Sequence, residues 1–241
     1  MGVKLPPMPP FLEHWKKNGF LRHLRITLLE YYQAHKLRRF YVRVILGFSL
    51  LFAALLFNAA ANWYTARFDN LPASLPGDII LDHIPVINVD LVFFWGIVVF
   101  IALVVALGLK RPARIPFLLE SAALFIGIRA FFVVLTHVSA PIDRSAVPLE
   151  TFFQRLIAGS GNDLFFSGHT GFPFLMAMLF WREVYLRNVF LSMSLTYGTV
   201  VLLGHLHYSI DVFSAFFITY GILHIARFLF PEDAEAFGKT V

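Results

Sequence analysis

The sequence lacks cysteine and is poor in charged residues. With no cysteine among 241 residues, disulfide bonds, thiolate nucleophiles and cysteine-based metal sites are all excluded. Charged residues make up 15% of the chain, whereas soluble domains carry about a quarter, which excludes a soluble globular protein. The sequence also contains no Walker loop, dinucleotide fingerprint or zinc-ligand spacing. We therefore expect the protein to need neither a metal ion nor another cofactor.

Hydrophobic residues make up 58% of the chain and fall mainly into long runs. A membrane-spanning helix needs about 20 mostly apolar residues. The runs predict an all-α polytopic membrane protein with six transmembrane helices, at about 42–62, 89–109, 117–137, 171–186, 188–206 and 208–230. The fourth is the shortest. The predicted organisation is an arm at 1–40, a membrane catalytic domain at 41–230 and a tail at 231–241.

Residues 11–40 of the arm predict an amphipathic helix. Apolar side chains recur at helical spacing between Phe20 and Tyr32, and basic residues such as Lys16 and Arg25 accompany them. This pattern suits a helix that lies on the cytoplasmic surface of the membrane. It suits equally well a helix that packs against cytoplasmic loops.

The distribution of lysine and arginine predicts the orientation of the chain. Most of the 20 basic residues lie in 1–43, 110–116, 182–187 and the tail. With six spans, these segments all lie on one side of the membrane, and membrane proteins keep such basic loops in the cytoplasm. Both termini are therefore predicted to be cytoplasmic, and acidic residues gather on the exoplasmic, periplasmic or lumenal side. Basic charge placed in this way also argues against nucleic-acid binding.

Two short motifs place ionisable groups at predicted helix ends. They are Asn162-Asp-Leu-Phe-Phe-Ser-Gly-His-Thr170 and Gly204-His-Leu-His-Tyr-Ser-Ile-Asp-Val212. Ionisable groups inside a membrane protein cost free energy and are candidate functional residues by default. In the predicted topology His169, His207 and Asp211 all lie on the non-cytoplasmic side. We therefore expect the active site at that face.

The residue types in the motifs suit phosphoryl transfer. His207 and Asp211 are four residues apart, on one helix face and within side-chain reach. A carboxylate beside an imidazole fixes its tautomer and leaves the other nitrogen free to attack or to accept a proton. Structural His–Asp pairs are common, so this pair alone is weak evidence. His169 adds a second imidazole that can act as an acid or base.

Arg129 lies inside the third predicted helix. A guanidinium in an apolar helix is costly unless it faces a partner or a polar cavity. Its planar fork suits binding of a phosphate diester. The alternative role for Arg129 is an intramembrane salt bridge, for instance to Asp163 or Asp211. Ser167 and Gly168 supply backbone amides at a predicted helix start, where anionic oxygens are favoured.

The two motifs resemble the third and fourth motifs of the sphingomyelin synthase family, a branch of the type 2 phosphatidic acid phosphatase superfamily. Further similar segments are Ala215-Phe-Phe-Ile-Thr219, Ile128-Arg-Ala-Phe-Phe-Val-Val-Leu-Thr136, Ser139-Ala-Pro141 and Leu75-Pro-Gly-Asp-Ile-Ile-Leu-Asp82, where Gly77 departs from the family's loop. The resemblance extends over roughly residues 40–230. The phosphatase branch carries a Lys-x6-Arg-Pro motif, and Lys110-Arg111-Pro112 lacks that spacer, which favours the synthase-like branch. The compact 138–168 loop resembles that of a bacterial-type member.

The resemblance implies roles for individual residues. His207 is implied as the nucleophile, with Asp211 orienting it, and His169 as the group that protonates the leaving lipid alcohol and then deprotonates the accepting hydroxyl. The residues implied to bind substrate are Arg129, Ser167, Gly168, Asp163, His205, Tyr208 and Asp78. For Asp163 and His205, local capping or loop hydrogen bonds are an equal alternative.

The function implied is head-group transfer between membrane lipids. Phosphocholine or phosphoethanolamine would move from a glycerophospholipid donor to ceramide or a similar lipid alcohol, releasing diacylglycerol. The first alternative is a lipid phosphate phosphatase or phospholipase C-like hydrolase of the same superfamily. The second is a transporter or scaffold without enzymatic activity, against which the intact His–His–Asp set argues. The sequence predicts no oligomeric state.

Overall fold

The structure is a computed structural model that describes residues 27–29, 31, 38–68, 77–136, 140–141, 143–145 and 164–239. Every regular element within these residues is helical, which confirms the predicted all-α fold. The α-helices are α1 (Arg38–Thr65), α2 (Asp90–Lys110), α3 (Ile115–Leu135), α4 (Gly168–Leu179), α5 (Val184–Leu203), α6 (Ser209–Leu229) and α7 (Pro231–Lys239). Short 3-10 turns occupy Ala66–Phe68, Leu81–His83 and Pro112–Arg114.

Five helices are long and apolar enough to cross a membrane, namely α1, α2, α3 with the turn before it, α5 and α6. They correspond to five of the six predicted spans, with ends that differ by a few residues. These helices indicate an integral membrane protein. Many of their large apolar side chains, such as Phe52, Trp95 and Phe217, are exposed at the surface of the bundle, as lipid-facing positions require.

The fourth predicted span, 171–186, is not confirmed as a membrane-spanning helix. Helix α4 has 12 residues, which is about 18 Å at 1.5 Å per residue, whereas the hydrocarbon core is about 30 Å thick. The helix begins after Ser167, whose hydroxyl accepts a hydrogen bond from Thr170 N–H at 3.4 Å. It ends at Phe180. The chain then makes a turn, and residues 184–186, which the prediction included in this span, form the start of α5.

Helix α4 lies in the centre of the bundle. Its side chains are buried from His169 to Leu179 with few exceptions, and the Thr170 carbonyl accepts a hydrogen bond from Ser194 Oγ of α5 at 2.7 Å. A Cβ atom at Gly171 would lie 2.8 Å from Thr219 Oγ1 of α6, so a glycine is needed where these helices meet. The short helix is therefore enclosed by protein along its length.

Basic residues concentrate at the end of the bundle opposite the two motifs. The start of α1, the α2–α3 connection and the α4–α5 turn all lie at that end. Arg114 Nη2 and Glu183 Oε1 form an ion pair there at 2.7 Å, and Arg43 Nη1 and Asp233 Oδ1 form another at 3.1 Å. The cytoplasmic location of this end stays a prediction.

The arm and the tail both contact this basic end. Thr27 Oγ1 donates to the Lys110 carbonyl at 3.2 Å, and the Tyr31 hydroxyl donates to the Leu109 carbonyl at 3.0 Å. This part of the arm thus packs against the last turn of α2; most of the predicted amphipathic helix lies outside the described residues. The predicted tail contains α7, whose Asp233 and Phe237 are buried against the bundle.

Removing the Phe237 ring is expected to lower the stability of the protein. This side chain is 3% exposed and packs with ring centroids 5.3 Å from Phe180 and 6.0 Å from Phe117. Phe237→Ala should cost about 3 kcal/mol or more, measured as a lower midpoint of thermal unfolding in detergent. Phe228→Ala is the matched control, because Phe228 is 83% exposed. Equal midpoints for the two variants would show that α7 does not stabilise the bundle.

Candidate active site

The turn between α5 and α6 carries the second motif. The N–H of Leu206 donates to the Val201 carbonyl at 2.8 Å, and the N–H of His205 donates to the Leu202 carbonyl at 2.9 Å. This pair of bonds is a common way to end a helix, with a left-handed residue after the last turn. His205 has that conformation, with φ of 50°, although glycine is the usual residue there.

Contacts from other segments hold this strained turn in place. Gly204 stands one position before the left-handed residue because a Cβ atom there would lie 2.5 Å from Val89 Cγ2. The Gly204 carbonyl accepts a hydrogen bond from Ser145 N–H at 2.8 Å, and His205 Nε2 lies 3.3 Å from the Ile84 carbonyl. Strained residues persist where their surroundings determine the conformation, and they cluster at active sites.

The structure brings His207 and Asp211 together, although not on one helix face as the spacing predicted, because His207 lies in the turn two residues before α6 begins. His207 Nδ1 lies 3.4 Å from Asp211 Oδ2, and the same oxygen accepts a hydrogen bond from Tyr208 N–H at 3.0 Å. His207 is 6% exposed and Asp211 is 3% exposed. The contact through Nδ1 leaves Nε2 of His207 as the nitrogen available for reaction.

The first motif meets the second at the start of α4. The N–H of Ser167 donates to the Asp211 carbonyl at 3.0 Å, so the starts of α4 and α6 lie side by side. His169 is the second residue of α4, two positions after Ser167, and is buried there. The three groups that the sequence predicts to act together thus form one cluster.

Aromatic rings from two other helices position the His169 imidazole. It stacks on Phe93 of α2, with ring centroids 4.1 Å apart and an angle of 26° between the planes, and meets Tyr197 of α5 edge-on at 6.5 Å. Its Nε2 is buried and has no hydrogen-bond partner within the described part of the chain. A buried polar nitrogen without a partner is costly, which makes this atom a candidate for contact with substrate.

Arg129 reaches the same place from α3. Its Nε donates to the Phe166 carbonyl at 2.8 Å. A Cβ atom at Gly168 would lie 3.2 Å from this Nε, so the glycine allows the guanidinium to approach the start of α4. A guanidinium beside a helix start is a favourable arrangement for anionic oxygens.

Asp78 caps the helix that follows the turn. Its Oδ2 accepts from Ser209 N–H at 2.6 Å, and its Oδ1 accepts from Ile80 N–H and Leu81 N–H at 2.9 and 3.2 Å. Burial acts to raise the pKa of this carboxyl, but the bonds from Ser209, Leu81 and Ile80 together hold the pKa below its ordinary value. The contacts give Asp78 a structural part, and its predicted contact with substrate stays a prediction.

A cavity of about 590 Å³ lies beside the turn. Asp78, His205 and Tyr208, all predicted to bind substrate, line it together with Asp82 and Asp143. The cavity therefore collects acidic groups close to the residue that follows His207. Asp163, the other acidic residue in the predicted set, lies outside the described residues.

Sequence reasoning missed Phe93 and Tyr197, the two rings that contact His169. They lie on helices that carry neither motif, and the chain contains 28 phenylalanines and 8 tyrosines. No spacing rule distinguishes two of these from the rest. The sequence analysis named Gly204 only as the first residue of a motif. It did not predict that Gly204 packs closely against Val89.

Comparison with known families supports the resemblance at the superfamily level. Residues 160–227, which contain both motifs, match the PAP2 superfamily C-terminal family. This match supports the type 2 phosphatidic acid phosphatase superfamily, whose members are typically phosphatases or phosphotransferases. No curated protein and no solved structure matches the chain.

Replacing the Asp78 carboxylate is expected to destabilise the protein in a pH-dependent manner. Because the folded-state pKa is lowered, the stabilising contribution is present above the ordinary pKa and is lost as pH falls through the lower folded value. Asp78→Asn should cost about 1–3 kcal/mol at neutral pH, seen as a lower unfolding midpoint in detergent, and the difference from wild type should shrink in acid.

Asp82→Asn is the control for this prediction, because Asp82 lies in the adjacent 3-10 turn and is exposed. It should leave the midpoint nearly unchanged. If the unfolding midpoint of Asp78→Asn stayed below that of wild type by the same amount from neutral to strongly acidic pH, the role given to the carboxylate charge would be contradicted.

Proposed function

We propose that the protein is a lipid head-group transferase. It moves phosphocholine or phosphoethanolamine from a glycerophospholipid to ceramide or a similar lipid alcohol and releases diacylglycerol. The observation that carries this proposal is the cluster at the starts of α4 and α6. There the His207–Asp211 pair lies beside His169, whose Nε2 has no partner within the described residues.

In the first step His207 Nε2 attacks the phosphorus of the donor phosphodiester. A P–N bond forms, and the bond between phosphorus and the diacylglycerol oxygen breaks. His169 gives a proton to that oxygen, so that it leaves as an alcohol. Asp211, in contact with Nδ1, holds the His207 ring in the reactive tautomer and stabilises its positive charge.

In the second step the acceptor alcohol occupies the place of the departed diacylglycerol. His169 takes the proton from the acceptor hydroxyl, the oxygen attacks phosphorus, and the P–N bond to His207 breaks. One site can serve donor and acceptor in turn because the covalent intermediate separates the two half-reactions. This sequence regenerates both histidines in their starting protonation states.

Arg129 and the start of α4 are the groups available to neutralise the phosphate. Gly168 brings the guanidinium next to this helix start, where backbone amides favour anions. Fixed donors aimed at a developing negative charge lower the barrier most in a site that excludes water. Arg129 would therefore bind the phosphate oxygens that are not bonded to the head group or to diacylglycerol.

Burial of the catalytic groups favours transfer over hydrolysis. His169, His207 and Asp211 are between 3% and 8% exposed. A lipid alcohol with its acyl chains can fill such a site, whereas water has restricted access to the intermediate. The match to the superfamily is also compatible with a lipid phosphatase or a phospholipase C-like hydrolase, and product analysis decides between these.

The proposal places the reaction at the non-cytoplasmic side of the membrane, with both termini in the cytoplasm. It is supported by the basic residues at the opposite end of the bundle from the cluster. Donor and acceptor would then both come from the outer leaflet. A terminal tag detected on the outside of intact cells would contradict this orientation.

Replacing His207 is expected to abolish transfer. Purified protein in liposomes with fluorescent ceramide and either phosphatidylcholine or phosphatidylethanolamine should form a new fluorescent phospholipid, which chromatography detects. His207→Ala and His169→Ala should each lower the rate by about a thousandfold or more, because each removes a group that acts in both steps. His224→Ala is the matched control, since His224 is exposed and lies near the other end of α6.

Two results would change the assignment. Full turnover by His207→Ala would exclude the covalent mechanism. Release of phosphate or of a phosphorylated head group at the same rate with and without ceramide, and no new lipid, would identify a hydrolase.

A further inference from the structure

A second cavity, of about 400 Å³, forms a groove between α2 and α5. Its walls come from Leu91, Val92, Trp95, Gly96 and Val99 of α2 and from Tyr197 of α5. Leu91, Trp95 and Val99 are between 57% and 73% exposed, so the groove opens at the apolar surface of two membrane-spanning helices. Among the described residues that line the groove, only Tyr197 carries a hydroxyl.

Gly96 makes room for Tyr197 in this groove. A Cβ atom at Gly96 would lie 2.6 Å from Tyr197 Cε1 and 2.8 Å from its hydroxyl oxygen. Tyr197 is 5% exposed, and its hydroxyl makes no hydrogen bond within the described part of the chain. A hydroxyl in apolar surroundings normally has a partner. The groove therefore holds one polar group without a partner on an otherwise apolar wall.

Tyr197 connects the groove to His169, because it lines the groove and also contacts the His169 ring. Tyr197 meets the His169 ring edge-on at 6.5 Å, and Phe93, three residues before Gly96, stacks on that ring at 4.1 Å. A molecule that contacts Tyr197 in the groove thus lies one aromatic ring away from the proposed acid and base.

The depth of the groove matches lipid chains. Gly96 is six residues from Asp90, where α2 begins, and Tyr197 is six residues from Leu203, where α5 ends. At 1.5 Å per residue this is about 9 Å below the helix ends. At that depth a membrane offers hydrocarbon, which favours an acyl chain as the occupant.

We propose that this groove seats an acyl chain of the lipid whose oxygen faces His169, and that the Tyr197 hydroxyl donates a hydrogen bond to the ester or amide carbonyl at the head of that chain. This inference rests on the proposed function. The diacylglycerol part of the donor and the acceptor lipid occupy the groove in turn. Tyr197 is then a positioning residue, and the α2 side chains determine which chains fit.

Filling the groove tests the proposal. Val99→Trp places a large ring in it, and Val105→Trp is the matched control, since Val105 is on the same helix, is 53% exposed and does not line the groove. With phosphatidylcholine or phosphatidylethanolamine bearing palmitoyl chains, Val99→Trp should lower kcat/KM about tenfold, the effect of losing one or two methylene contacts. With butyryl chains, which are too short to fill the groove, the loss should disappear.

The Tyr197 hydroxyl is tested separately. Tyr197→Phe should raise KM for ester-linked and amide-linked lipids about threefold to tenfold, as expected for one hydrogen bond. The effect should vanish with an ether-linked donor, which has no carbonyl at that position. A purely structural tyrosine would affect both kinds of donor equally.

A binding measurement separates this inference from the proposed reaction. A photoactivatable diacylglycerol in liposomes should label residues 91–99, and Val99→Trp but not Val105→Trp should reduce that labelling. Such labelling in a protein that neither transfers nor hydrolyses head groups would overturn the proposed function and leave the groove as a lipid site. Labelling spread evenly over exposed residues such as Phe217 and Phe228 would contradict the proposal that the groove binds an acyl chain. Equal kinetics for the two tryptophan variants would contradict it as well.

Discussion

Asp211 makes hydrogen bonds with both halves of the candidate site. Its carboxylate contacts the His207 ring and accepts the Tyr208 N–H, while its backbone carbonyl accepts the Ser167 N–H. These bonds are shielded from water, where polar interactions are strong and lost partners are costly. The start of α4 is thereby attached to the start of α6. The position of His169 relative to His207 depends on this attachment.

The turn that carries His207 is held from three further directions. Asp78 accepts the Ser209 N–H, Ser145 donates to the Gly204 carbonyl, and the Ile84 carbonyl contacts the His205 ring. Asp78 and Ile84 belong to the segment before α2 and Ser145 to the segment between α3 and α4, and both segments are far from the turn in sequence. A reacting group must be held within a fraction of an ångström of its productive position, and a short turn cannot achieve this by itself. The strained backbone at His205 is sustained by these neighbours.

The sequence was sufficient to predict the helices that face lipid, because a membrane imposes a minimum apolar length. It also predicted that His207 and Asp211 would be neighbours, but not the way in which they meet. His207 lies in the turn before α6, and Asp211 reaches it by folding back over the start of the helix, where it accepts the Tyr208 N–H. It did not predict the length of α4, since a helix surrounded by protein is free of the membrane's length requirement. The hydrogen bond from Ser209 to Asp78 and the contact between Gly96 and Tyr197 join residues about a hundred or more positions apart, and no local pattern encodes such pairs.

The shortness of α4 has a consequence for how the protein relates to its membrane. His169, in the first turn of α4, meets Tyr197 six residues before the end of α5, whereas His207 lies in the turn that follows α5. In the proposed mechanism the oxygen of a lipid therefore has to reach His169 inside the bundle while the phosphorus stays beside His207 at its end. On that mechanism a bilayer of different thickness, which changes the depth of the lipid head groups relative to the helices, should change the rate of turnover.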